Sequence, residues 1–189
     1  MKKIGVYGGT FDPIHYGHLI LAREVLEQLQ LEQVVFVPAA LSPHKLGQTP
    51  TPAPVRLEML QRAIEGESRF AIDKIEVNRP PPSFTIDTIR ELRSREDPLE
   101  IFYLIGSDNL LALDTWHRIE ELRLLVRFVV LMRGHTVADP AYPTIRRQID
   151  ISATDIRNRV ATGRSIRYLV PPAVEEIIRQ GQLYQEPSR

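Results

Sequence analysis

Short runs of consecutive apolar residues, spaced by stretches in which apolar residues recur every three or four positions, most tightly limit how this chain can fold. Val34-Val35-Phe36-Val37 is the clearest run. Neighbouring side chains of a strand point to opposite faces, so four apolar residues in a row demand burial on both sides, as in a helix-covered parallel sheet. Ile4 to Tyr7, Phe70 to Ile72, Ile101 to Ile105 and Phe128 to Leu131 read as further strands, and a last short strand is expected to end at Ile151. Between them, Leu19, Ala22, Val25, Leu26 and Leu29 make a helical stripe from about His18 to Gln30. A second helix starts near Val55, with Leu57, Met59, Leu60, Ala63 and Ile64 on one face. A third carries Phe84, Ile86, Ile89 and Leu92, with Ser83 or a neighbour as its cap, and a fourth runs around Trp116 to Leu124. Ser152 opens a helix to about Val160, and Val174, Ile177 and Ile178 mark a final one beyond Pro171-Pro172. This alternation predicts an α/β fold: a doubly wound, mostly parallel sheet with helices on both faces, in a single domain over residues 1–189.

Two segments fall outside the pattern. Ala39 to Pro54 holds four prolines and a glycine without periodicity, a loop long enough to suggest ligand contact. Arg79-Pro80-Pro81-Pro82-Ser83 is a proline knot that no regular element can contain.

Composition removes several classes of function. Lys plus Arg number 24 and Asp plus Glu 24, so the net charge is zero and a nucleic-acid partner held by bulk electrostatics is not expected. A phosphate ligand needs local groups. The absence of cysteine excludes a disulfide framework, a thiolate nucleophile and a Cys-rich zinc site, and suits a reducing cytoplasm. No stretch approaches the roughly 20 apolar residues of a membrane span, so no membrane partner is expected. The protein is expected to be soluble and cytoplasmic; a homo-oligomer is left open.

In a doubly wound sheet, ligands bind beyond the carboxyl ends of the strands, which directs attention to four places. The first is Tyr7-Gly8-Gly9-Thr10-Phe11-Asp12-Pro13-Ile14-His15-Tyr16-Gly17-His18, joining the first strand to its helix. Its glycines let backbone N–H groups approach a phosphate at a helix N-terminus, and His15 and His18 can donate to phosphoryl oxygens. It is neither a P-loop nor a dinucleotide fingerprint, and the bland alternative is a tight turn with two solvated histidines. A zinc site is disfavoured, because His44, His117 and His135 are scattered and H-E-x-x-H is absent. The second place is Ser152-Ala153-Thr154-Asp155-Ile156-Arg157, a capping box in which Arg157, leaning toward the helix N-terminus, would reach a bound anion. An ordinary surface arginine is the alternative. The third, Ile105-Gly106-Ser107-Asp108, brings a carboxylate that could take a ribose hydroxyl, unless Ser107 or Asp108 only caps a helix. Trp116 could stack on a heteroaromatic ring or simply pack in the core. The fourth is the loop pair His44-Lys45, whose lysine could fold over a triphosphate.

The first two segments resemble the two signatures of the nucleotidyltransferase superfamily, which includes adenylyltransferases and class I tRNA synthetases. Ser42-Pro43-His44-Lys45, Ser83-Phe84-Thr85-Ile86-Asp87-Thr88, Ile105-Gly106-Ser107-Asp108 with Trp116, and Arg56 with Met59-Leu60 narrow the likeness to bacterial nicotinate mononucleotide adenylyltransferases, from about Lys3 to Ile178. That resemblance implies a Rossmann-like nucleotidyltransferase fold and a magnesium-dependent reaction. ATP and nicotinate mononucleotide give nicotinate adenine dinucleotide and pyrophosphate, a step of NAD synthesis. It implies that His15, His18, Lys45 and Arg157 act on the phosphates, with no protein ligand to a metal. Gly8, Gly9, Thr10, Phe11, Gly106, Asp108, Ile151, Ser152 and Thr154 would bind ATP; His44, Thr85 and Trp116 would bind the mononucleotide. Ala39-Ala40, Ser42, Met132 and Ala153 depart from the residues usual in that family. The alternatives are an adenylyltransferase for nicotinamide mononucleotide or phosphopantetheine, and a non-catalytic nucleotide sensor.

Overall fold

The computed structural model describes residues 1–40, 49–80, 82–96, 98–132 and 141–185. His44, Lys45 and Arg133 therefore lie outside the described residues, as do Ser42, Pro43 and the middle proline of the proline knot. Strands β1 (Lys2–Gly9), β2 (Gln33–Pro38), β3 (Phe70–Ile72), β4 (Leu99–Gly106), β5 (Arg127–Met132) and β6 (Thr144–Arg146) form one six-stranded sheet in the order β3-β2-β1-β4-β5-β6. Every strand pair is parallel. The chain winds outward from β1 to one edge, then crosses back and winds from β4 to the other. β1 and β4 are thus the strands whose carboxyl ends open a crevice.

The two faces fill as the apolar runs require. Val34 and Phe36 of β2, with Phe102 and Leu104 of β4, point into one core. There they meet helices α1 (Tyr16–Gln28), α2 (Ala53–Ala63), α6 (Ala153–Ala161) and α7 (Pro172–Gln180). Val35 and Val37, with Ile101, Tyr103 and Ile105, point into the other, beneath α3 (Thr85–Arg95) and α5 (Ile119–Leu125). α4 (Ser107–Leu110) and a 3-10 turn at Leu113–Thr115 precede α5. Leu21, Ile86 and Ile89 are fully buried; each contributes roughly 2 kcal/mol through lost apolar surface, which holds the helices to the sheet. Among the described residues no helix is long and apolar enough to cross a membrane.

Four boundaries differ from the sequence reading. α1 begins at Tyr16, because His15 rather than a later residue is its N-cap. The N-cap of α3 falls on Phe84, the neighbour of Ser83, but no side chain caps the helix there. Ser83 is buried and its hydroxyl instead donates to the Glu76 carbonyl at 3.5 Å. Trp116 precedes α5 in extended backbone, so the helical stretch there is shorter than its apolar spacing suggests. β6 stops at Arg146, five residues short of Ile151, because its ladder pairs last with Met132, where β5 ends. Ile149 and Ile151 still pack against the core, in a segment without a ladder.

Candidate active site

The crevice between the carboxyl ends of β1 and β4 holds two cavities that share a rim of Gly8, Gly9, Thr10, Gly106, Asp108 and Asn109. Close packing against Tyr103 explains Gly8 of β1: a Cβ there would lie 2.5 Å from the Tyr103 Oη.

One cavity, of about 580 Å³, is lined by Phe11, Asp12, His15, His18, Thr154, Arg157 and Tyr184 as well as the rim. His15 and Arg157, which the sequence separates widely, are thus brought to one hollow. His15 is fully buried, and its ring stacks on that of His18 with centroids 3.7 Å apart. The His15 backbone N–H donates to His18 Nδ1 at 3.3 Å. An imidazole that accepts at Nδ1 carries its proton on Nε2 when neutral, which makes Nε2 the donor nitrogen of His18 in that form. Gly17 is needed beside this pair, since a Cβ there would meet the His15 ring at 3.0 Å. The helix N-terminus offers less than the sequence suggests. Tyr16 N–H donates to the Leu169 carbonyl at 3.0 Å and His18 N–H to the His15 carbonyl at 3.0 Å. The imidazoles, rather than those two amides, face the cavity.

Phe11 is buried at a positive φ of 50°, a conformation that costs a non-glycine residue about 1 kcal/mol. Its ring meets Tyr7, Phe36 and His18 edge-on, which holds the loop in that shape. Arg56, 1% exposed, fastens the loop from behind. Its Nη1 donates to the Thr10 carbonyl at 2.7 Å and its Nε to the Thr51 carbonyl at 2.8 Å. Burial lowers its pKa, opposed by the nearby Asp12 and Tyr184.

α6 has the N-cap expected at Ser152, though not the reciprocal bond of a full capping box. Ser152 Oγ accepts from Asp155 N–H at 3.1 Å, and Arg157 leans back to donate to Thr154 Oγ1 at 3.2 Å and to the Asp12 carbonyl at 2.8 Å. Ile151 and Ser152 line neither cavity.

The other cavity, of about 620 Å³, adds Glu76, Phe84, Thr85, Tyr103, Trp116 and His117 to the rim. Trp116 is half-buried and lines this cavity, its ring nearly perpendicular to those of Tyr103 and Phe128 at 5.9 and 6.2 Å. Phe84 and His117 form a second ring pair, 4.4 Å between centroids. Thr85 is the first residue of α3, where N–H groups have no intrahelical acceptor, and its Oγ1 lies 3.4 Å from the Tyr103 hydroxyl. Glu76 is buried and accepts from Thr88 Oγ1 at 2.9 Å; Arg79 Nη2 donates in turn to that hydroxyl at 3.0 Å. Burial pushes the Glu76 carboxyl pKa up, opposed by the Thr88 hydrogen bond and the Arg79 charge. Burial likewise raises that of Tyr103. Asp108 reaches the rim from the first turn of α4, whose N-cap is Gly106; neither Ser107 nor Asp108 caps it.

Glu76, Tyr103, His117 and Tyr184 escape the sequence reading, since none sits in a motif and all reach the crevice through tertiary contact. Asp12 lies within the glycine-rich segment, but its side-chain partners are equally hidden. Among the described residues no group of three His, Cys, Asp or Glu side chains is placed to hold a metal ion.

The cytidylyltransferase-like family model matches residues 6–159. A Geobacillus thermodenitrificans protein named as a probable nicotinate-nucleotide adenylyltransferase is 46% identical over 187 residues, covering 97% of this chain and 87% of its own. One of the same name from Exiguobacterium sibiricum is 46% identical over 187 residues, covering 96% of this chain and 98% of its own. The fold is shared with the Plasmodium falciparum nicotinic acid mononucleotide adenylyltransferase complexed with NaAD. The TM-score is 0.82 at 21% identity, over 97% of this chain and 98% of that one. The chain belongs to the cytidylyltransferase-like family and, within it, to the nicotinate-nucleotide adenylyltransferases.

Proposed function

We propose that this enzyme transfers the adenylyl group of ATP to nicotinate mononucleotide, giving nicotinate adenine dinucleotide and pyrophosphate in NAD synthesis. The observation that carries this reading is the pair of cavities meeting at one rim: one lined by His15, His18 and Arg157, side chains that can donate to phosphates, and an aromatic one suited to a flat ring. A mononucleotide in the aromatic cavity would direct its phosphate oxygen at the α-phosphorus of ATP. The new O–P bond forms as the bond to the β-phosphate oxygen breaks, and pyrophosphate leaves on the opposite side.

No covalent enzyme intermediate is required, so catalysis is alignment plus stabilisation of charge on the transferring phosphorus. His18 Nε2 donates to the phosphoryl oxygens, with His15 stacked behind it. Arg157 and Lys45 neutralise the departing pyrophosphate. Gly8, Gly9, Thr10 and Phe11 bring the β1 loop to the nucleotide; Gly106 and Asp108 meet the adenosine ribose. Thr154 belongs to the adenosine-phosphate edge, which Ile151 and Ser152 support by shaping the start of α6. The first-turn N–H of Thr85 receives the pyridine carboxylate, Trp116 stacks on the ring, and His44 approaches the mononucleotide. ATP enters as its magnesium complex, the metal arriving with the substrate; it offsets phosphate charge when bound. The reading places the enzyme in the cytoplasm, with its substrates.

Pyrophosphate release measured with ATP and, in turn, nicotinate mononucleotide, nicotinamide mononucleotide and phosphopantetheine tests the assignment. Turnover is expected to be fastest with the first. Faster turnover with another acceptor would reassign the substrate, and ATP binding with silence toward all three would make the protein a sensor.

A further inference from the structure

The strongest unexplained contact in the crevice comes from the end of the chain. Tyr184 follows α7 with a left-handed φ of 61°, and its hydroxyl donates to Asp12 Oδ1 at 2.5 Å across 172 positions of sequence. The other carboxylate oxygen, Oδ2, accepts Thr51 N–H at 3.0 Å. Asp12 is only 8% exposed, and its own carbonyl holds Arg157 Nη1. Asp12 therefore joins the β1 loop, the segment before α2, α6 and the C-terminal segment.

Both Asp12 and Tyr184 line the cavity that contains His15, His18 and Arg157. A carboxylate in a hollow built for phosphates opposes its ligand unless its oxygens are occupied and turned away. We propose that Tyr184 is a positioning residue for adenylyl transfer: its hydroxyl covers the Asp12 carboxylate and fixes the loop that sets Arg157 and the histidines against the triphosphate. This rests on the adenylyltransferase reading for its kinetic consequence, though not for the geometry of the tether. Burial raises the pKa of the Tyr184 phenol, so it remains a donor at neutral pH.

Tyr184→Phe removes the hydroxyl and keeps the ring. About a tenfold fall in kcat is expected, with KM for nicotinate mononucleotide changed less than about twofold. Because the effect passes through Asp12, adding Tyr184→Phe to an Asp12→Ala background should cost nothing further. Amide exchange supplies a readout that needs no turnover: residues 10–14 and Thr51 should exchange faster in Tyr184→Phe, while the strands keep their protection. An unchanged kcat in Tyr184→Phe, or the same tenfold loss with Asp12 already removed, would overturn the proposal. Should Asp12→Ala fail to fold, the exchange measurement decides alone, with unchanged protection at residues 10–14 counting against the tether. An inactive wild type that still shows the exchange effect would sink the enzymatic reading and leave the tether standing.

Discussion

The two cavities on either side of the Gly8 to Thr10 rim are close in size and opposite in construction. The phosphate-side cavity is built from loop backbone and cationic or hydrogen-bonding tips, each held from behind: Thr10 by Arg56, Asp12 by Tyr184 and Thr51, Arg157 by the Asp12 carbonyl. The ring-side cavity is walled by Tyr103, Phe84 and Trp116, which belong to or pack against the second core, with the buried Glu76 beside them. Donors aimed at phosphoryl oxygens gain most when charge develops there, whereas an aromatic wall meets the ring equally before and during reaction. Changes on the phosphate side should therefore appear in kcat, and changes on the ring side in the acceptor KM.

His18→Ala should give the largest loss, about 10²- to 10³-fold in kcat with a far smaller change in ATP affinity, read by pyrophosphate release and by titration with ATP. Equal losses in both would place His18 in binding alone and erase the contrast. Arg56→Met should come next, in stability: it strands the Thr10 and Thr51 carbonyls and should cost about 3 kcal/mol in denaturant melts. A stable variant with normal kcat would show that the loop holds its shape without that support. Trp116→Ala should raise the KM for nicotinate mononucleotide about tenfold and leave that for ATP unchanged, as expected for about 1.4 kcal/mol of ring contact. An unchanged acceptor KM would remove Trp116 from ring recognition.

The smallest effect is the pH dependence of Glu76. Its pKa in the fold lies above the ordinary value of 4.5, so above 4.5 the native state holds more of this proton than the unfolded chain does. The stability Glu76 contributes is complete below that value and is lost as pH rises through the raised one. Glu76→Gln should flatten this decline in urea melts between pH 4.5 and neutrality. An identical slope in the variant would assign the decline to other groups.

Most of the sheet is legible in the sequence because its signal is local. Val34 to Val37 must be buried on both faces wherever they sit, and the structure places alternate members in the two cores. β6 is less legible, because Ile149 and Ile151 look like strand residues yet reach the core without a ladder once β5 has ended. At the site, the glycine-rich turn and the α6 N-cap announce themselves, since each needs particular residue types within a few positions. The supports do not. The partners of Arg56 lie at Thr10 and Thr51, and Tyr184 meets Asp12 from the far end of the chain, so no short-range pattern encodes them. The positive φ at Phe11 is hidden for the same reason, held by rings from β1, β2 and α1.

The most direct test of the account is a crystal structure of this protein with a non-hydrolysable ATP analogue. The triphosphate should lie in the cavity of His15, His18 and Arg157, with His18 Nε2 and the Arg157 guanidinium within hydrogen-bond reach of its oxygens and the α-phosphorus at the Gly8 to Thr10 rim. A triphosphate bound away from both side chains, or an α-phosphorus turned from the aromatic cavity, would contradict it.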